Sequence, residues 1–168
     1  MARAGKLYHT SKSWVIPVAC FLGISAVFAA SEKLPLPRFA SIRSNKVNVH
    51  VGPGKSYPIE WTYTRQGLPI EIVAEFDTWR QIKDPDGTVS WVHKSLLSGK
   101  RTAIIKQRRR KLRSKPNKDA RIIAYLEPGF IAKIKKCEKD WCQLEAKNYS
   151  GWMRKKAIWG VYDHEEKV

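Results

Sequence analysis

The stretch from Trp79 to Leu97, WRQIKDPDGTVSWVHKSLL, returns downstream in degenerate form as WCQLEAKNYSGWMRKKAI, from Trp141 to Ile158. Trp141 stands 62 residues after Trp79, and Trp152 and Ile158 stand 61 after Trp91 and Leu97. Self-similarity at a fixed period means one small unit written twice. Within the first copy, Trp79, Gln81 and Lys83 alternate with Arg80, Ile82 and Asp84. Asp84-Pro85-Asp86-Gly87 then supplies turn chemistry, and Val89, Trp91 and the following KSLL close the unit. Strands this short hold no core alone, so each copy must bury its apolar face against the rest of its own repeat.

A repeat in 168 residues predicts two small all-β domains, each near the lower size limit for an independent core. Seven Trp, six Tyr and five Phe suit compact cores filled by bulky rings. The net charge of +17 is uneven, with 20 basic and 8 acidic residues in 100–168 against 9 and 7 in 30–99. The second half should therefore attract polyanions, a property that says nothing about fold.

Residues 1–12 are basic and acid-free, 14–30 carry no charge, and Val27-Phe28-Ala29 places small residues before a cleavage point. The pattern is that of a secretory signal, 1–29, cut between Ala29 and Ala30. The alternatives are that residues 14–30 form a buried core helix or, uncut, an anchor; cleaved or anchored, the body lies outside the cytosol, in the periplasm or envelope. Cys20, preceded by Pro17-Val18-Ala19, is rejected as a lipid-attachment site and leaves with the signal. Residues 30–40, with Pro35 and Pro37, read as an extended tether, 41–99 as the first domain, 100–160 as the second and basic one, and 161–168 as a frayed polar tail.

In the first domain Val47 to Val51 alternates apolar and polar before Gly52-Pro53-Gly54, Ile59 to Thr64 is a second strand, Gln66 to Pro69 a turn, and Ile70 to Phe76 a third strand. The string VNVHVGPG, a later G-x-P-I-x-I-V segment, a Trp and a terminal SWVHKSLL resemble the bacterial SH3 domain. Ser90 departs from the glycine usual before Trp91, whereas the second copy has Gly151-Trp152. The resemblance covers about residues 41–160. It implies two tandem SH3-like, partly open barrels, with cell-wall peptide, glycan or an envelope protein as ligand.

Cys137 and Cys142 flank four residues, which in a β-hairpin puts them opposite each other, and export should oxidise the pair. At an offset of 62 they fall on Glu75 and Arg80, so an exposed ion pair should clamp the first hairpin where a disulfide clamps the second. A metal site using these cysteines lacks a second ligand pair at suitable spacing. Lys106, Arg108, Arg109, Arg110, Lys111 and Arg113 sit between the modules as a candidate polyanion contact or a solvated linker. Anionic glycans, envelope phosphates or acidic phospholipid are the partners export leaves open, and it disfavours nucleic acid.

Tyr57, Trp61, Trp91 and Trp152 are candidate ligand-binding rings, with Trp91 and Trp152 placed by their turns in a partly exposed groove. Trp79 and Trp141, which begin strands, are core candidates. His50, His93 and His164 have no nucleophile or carboxylate at catalytic spacing, and neither a phosphate loop, a zinc-protease helix nor a nucleophile elbow is present. The sequence reads as a non-catalytic binding protein without cofactor.

Overall fold

The computed structural model describes Met1 and residues 34–166. The expected signal, its Ala29/Ala30 junction and Cys20 lie outside the described residues. No helix among the described residues is long and apolar enough to cross a membrane.

Among the described residues, fourteen strands form two antiparallel sheets of seven. The first comprises β1 (Arg38–Ile42), β2 (Val47–His50), β3 (Ile59–Tyr63), β4 (Pro69–Phe76), β5 (Trp79–Lys83), β6 (Val89–His93) and β7 (Leu97–Ser98). The second comprises β8 (Thr102–Ile105), β9 (Arg110–Arg113), β10 (Ile122–Leu126), β11 (Ile131–Glu138), β12 (Trp141–Ala146), β13 (Tyr149–Arg154) and β14 (Ile158–Trp159). Strand order is β3-β2-β6-β5-β4-β1-β7 in one and β10-β9-β13-β12-β11-β8-β14 in the other, the same topology shifted by seven strands. Each sheet forms a small, partly open SH3-like barrel, as the repeat and the resemblance led us to expect.

Even the irregularities are duplicated. The β4–β5 ladder slips between Ile72 and Ala74, and the β11–β12 ladder slips 62 residues later, between Ile134 and Lys136. Such bulges bend a strand and sharpen its twist, which helps a short sheet close on itself. Period-2 alternation then sends one face inward. Val47, Val49, Ile70, Ile72, Ile82 and Val92 fill the first core, and Leu112, Ile134, Leu144, Met153 and Ile158 the second.

The hairpin clamp occupies the expected positions. Cys137 pairs with Cys142 across β11–β12 and the two are disulfide-bonded, while Glu75 pairs with Arg80 across β4–β5 with Arg80 Nε 2.8 Å from the carboxylate. One correction applies: the ion pair is mostly buried rather than exposed, and Arg38 joins it as a second cation on Glu75. Reduction with dithiothreitol should therefore loosen only the second barrel, seen as amide exchange rising in β11–β12 with β4–β5 unchanged. Equal sensitivity of both hairpins would refute the asymmetric clamp.

Two boundaries and the placement of the basic run differ from expectation. Arg38 to Ala40, read as tether, belong to β1 because they pair with Ile70 to Ile72 of β4. Arg110 to Arg113, read as part of an inter-module run, form β9 inside the second barrel, and the modules are joined only by the short segment between Ser98 and Thr102. The tail is docked through residue 165 rather than frayed: Tyr162 donates from its hydroxyl to Glu71 of the first module at 2.9 Å, and Glu165 pairs with Arg101. Burial would raise the Glu165 carboxyl, but the Arg101 hydrogen bonds outweigh it and hold the group below the usual carboxylate range.

The two barrels pack directly on one another. Thr102 Oγ1 donates to Gly67 O at 2.7 Å, Arg65 donates to Gly129 O at 2.6 Å, and Phe39 meets Trp159 edge-on at 4.9 Å. Ile104 and Ile131 of the second module lie against the first core. Apolar side chains and satisfied carbonyls across the seam define one relative placement of the two barrels.

Candidate functional site

Trp61 lies on β3, an edge strand of the first sheet, and is 60% exposed. It stands opposite Val49 of β2, and Val49 is fully buried whereas Trp61 is open to solvent. The indole borders a groove of about 560 Å³ that also includes Glu60, Tyr63, Arg65, Asp84 and Asp86. The Asp84 carboxylate accepts from Tyr63 Oη at 3.0 Å and from the Asp86 and Thr88 amides at 3.0 and 2.9 Å. Burial, and then the Asp84 charge, push the Tyr63 phenol far above its ordinary range, so it stays a neutral donor. Three carboxylates against one guanidinium make this groove acidic on a basic chain.

The other candidate rings do not join it. Tyr57 is exposed but folds over Gly52, so closely that a Cβ on Gly52 would sit 2.4 Å from the ring. Trp91 is half-buried on β6 and pairs with His50 of β2. Trp152 corrects the expectation of a partly exposed groove: it is only 8% exposed, with Lys136 Nζ 5.3 Å from its ring centre. Both tryptophans occupy the same register position, and the second is closed over by a lysine that the turn sequence does not reveal. Ser90 and Gly151 lie within β6 and β13 rather than in turns, so the departure at Ser90 falls inside a ladder.

Two further grooves occupy equivalent places in the two barrels. In the first, Trp79 is flanked edge-on by His50 and His93, at 5.3 and 5.7 Å, in a cavity of about 330 Å³. In the second, Trp141 holds the position of Trp79 in a cavity of about 390 Å³. Trp141 is half-buried there rather than core, with the Arg154 guanidinium 4.9 Å from its ring centre. Of the six basic candidates, Arg108, Arg109, Arg110, Lys111 and Arg113 line this groove and Lys106 does not. Lys118, Arg154 and Lys156 also line it, and reading the basic run alone missed them. Carrying the repeat offset through to Arg154, which falls on His93, is the signal that finds it.

Among the described residues, no cluster of His, Cys, Asp and Glu is placed to hold a metal. A larger cleft of about 780 Å³ lies between the barrels, walled by Arg43, Gln66, Lys100, Lys133, Glu145 and Lys147 among others.

Comparison with known proteins bears on the family. The model of the bacterial SH3 domain matches residues 43–99 and again 106–160. Among solved structures, the chain is similar to NlpC1 from Trichomonas vaginalis, at 12% identity and a TM-score of 0.33 over 81% of this chain and 50% of that one. It is also similar to NlpC2 from the same organism, at 11% identity and a TM-score of 0.35 over 81% and 52%. The chain thus spans about half the length of each. No curated protein matches significantly. Two family matches in register with two barrels of one topology place the chain in the bacterial SH3 domain family, of which it carries two tandem copies.

Proposed function

We propose that the chain is an exported, non-catalytic binding protein whose first module takes cell-wall peptide, with its attached glycan, in the groove beside Trp61. The observation that carries this reading is the bare indole on an edge strand beside an acid-edged groove. Large exposed rings at a concavity mark binding surfaces, because covering them removes apolar area from water. Ile59, also on β3, extends the exposed apolar surface along the same edge. The groove has the volume of a small-ligand site. Its carboxylates, on a chain of net charge +17, favour an ammonium-bearing peptide over an anionic polymer.

Bacterial SH3 domains commonly serve as binding modules for cell-wall components, which supports the ligand class. The basic, acid-free start and the uncharged run that follows support a periplasmic or envelope location, anchored where residues 14–30 are retained.

Trp61→Ala should lower retention on purified peptidoglycan about ten- to thirtyfold, the usual cost of truncating an aromatic anchor. The comparison is made at a salt concentration that screens the chain's general basic adhesion. Equal retention of the parent and the variant sinks the Trp61 site. The unpaired backbone of β3 also favours a second reading, an envelope adaptor whose protein partner adds a strand there. A stoichiometric complex that survives wall digestion distinguishes it.

A further inference from the structure

We infer that the Trp141 groove of the second module is a separate binding site for a phosphorylated saccharide. Eight of the eleven residues lining it are Arg or Lys, and none is acidic. Among the described residues, Arg109 alone of the eight has a carboxylate partner, the exposed Glu127 at 3.0 Å. So many like charges around one cavity of about 390 Å³ repel each other, and an anion relieves that repulsion.

The sister groove also carries two lysines, Lys46 and Lys55, but the other six cations of the Trp141 groove have no basic Lys or Arg counterpart there, so most of the charge is a departure from the shared fold. Strand pairing puts Arg113 where the first module has His50, since each pairs with the tryptophan of the neighbouring strand. Arg154 likewise pairs with Trp141 as His93 pairs with Trp79. Three residues before Arg113, Arg110 pairs with Leu126 as Val47 pairs with Tyr63. Val47 is a core residue, 1% exposed, whereas Arg110 carries a buried Nε with no hydrogen-bond partner. Replacing a core valine by a guanidinium with an unsatisfied nitrogen lowers stability. A side chain that weakens the barrel while feeding charge into a cavity is placed for a ligand.

The shape of the charge selects the ligand. Arginine presents a planar fork that matches two phosphate oxygens, and Arg154 is already stacked over Trp141 with its ionic edge unpaired among the described residues. Beneath the cations the lining is apolar, formed by Trp141, Met153 and Ala157. A bare phosphate would leave that floor uncovered. A sugar ring bearing a phosphate covers it with C–H groups while its ester oxygens meet the guanidinium groups.

The test is calorimetric titration of the full chain at low salt with glucose 6-phosphate, beside glucose, inorganic phosphate and a single-stranded oligonucleotide. Glucose 6-phosphate should bind about tenfold more tightly than inorganic phosphate, and glucose should give no heat. Arg154→Gln should weaken the sugar phosphate about ten- to hundredfold. Arg110→Val should weaken it too while raising Tm, a split that a purely structural arginine would not give. Trp61→Ala should leave this affinity unchanged, so the site stands or falls apart from the peptide groove. Equal binding of inorganic phosphate, tighter binding of the oligonucleotide, or an unaltered affinity in Arg154→Gln would each overturn the inference.

Discussion

Gly160→Ala should lower the stability of the protein by roughly 2–4 kcal/mol, read as a fall in the urea midpoint of the full chain. Gly160 follows β14 with φ of +120°, a conformation L side chains rarely adopt. A Cβ there would also sit 2.3 Å from Thr102 O, 3.1 Å from Ala103 Cα and 3.2 Å from Pro69 Cβ. The first two are backbone of β8 and the third belongs to the first module, so no flexible side-chain tip gives way. Relief requires moving β14 and the following Tyr162, and with them the hydrogen bond to Glu71 and the tilted ring contact with Phe39. The first barrel thereby loses part of its seam although the change lies in the second. An unchanged midpoint would show that the chain reroutes there at no cost.

Leu144→Ala should remove roughly 2–5 kcal/mol, the range for emptying a fully enclosed leucine site. Leu144 lies on β12 between Ile134 and Gly151, its side chain sealed from solvent. Gly151 is a point of close approach, where a Cβ would come within 2.7 Å of Arg113 O. The backbones around Leu144 are already in contact and have little room to collapse into the cavity. Ile82, the matching residue 62 positions earlier, is equally enclosed, and Ile82→Ala should cost a similar amount in the first module. Losses below about 1 kcal/mol in both would mean that the two cores are loosely packed.

The repeat offset carried well into the structure wherever the geometry is local. It placed Cys137 opposite Cys142 and Glu75 opposite Arg80, because a tight hairpin determines which residues face across it. Position at the start of a strand placed Trp79 in the buried set, but the same reading missed on Trp141, which is half-buried. Local pattern failed for Trp152, since neighbouring turn residues do not report that Lys136 of another strand covers the ring. It failed again for β1 and the tail. Their sequences are proline-bearing or polar, and only partners far along the chain, β4 for Arg38 to Ala40 and Glu71 for Tyr162, hold them in place.

The candidate sites divide along the same line. Trp61 and the basic residues of β9 are visible as side-chain types in the sequence. Their surroundings are not: Asp84 and Asp86 reach the Trp61 groove from the turn after β5, and Arg154 reaches the Trp141 groove from β13. Hydrophobic alternation, turn residues and a fixed repeat thus determined two all-β units and their hairpin registers, because those depend on chain neighbours a few residues apart. Closure of each sheet and the packing of one barrel on the other decided which rings stay bare and which charges gather, because both place in contact residues separated by tens of positions.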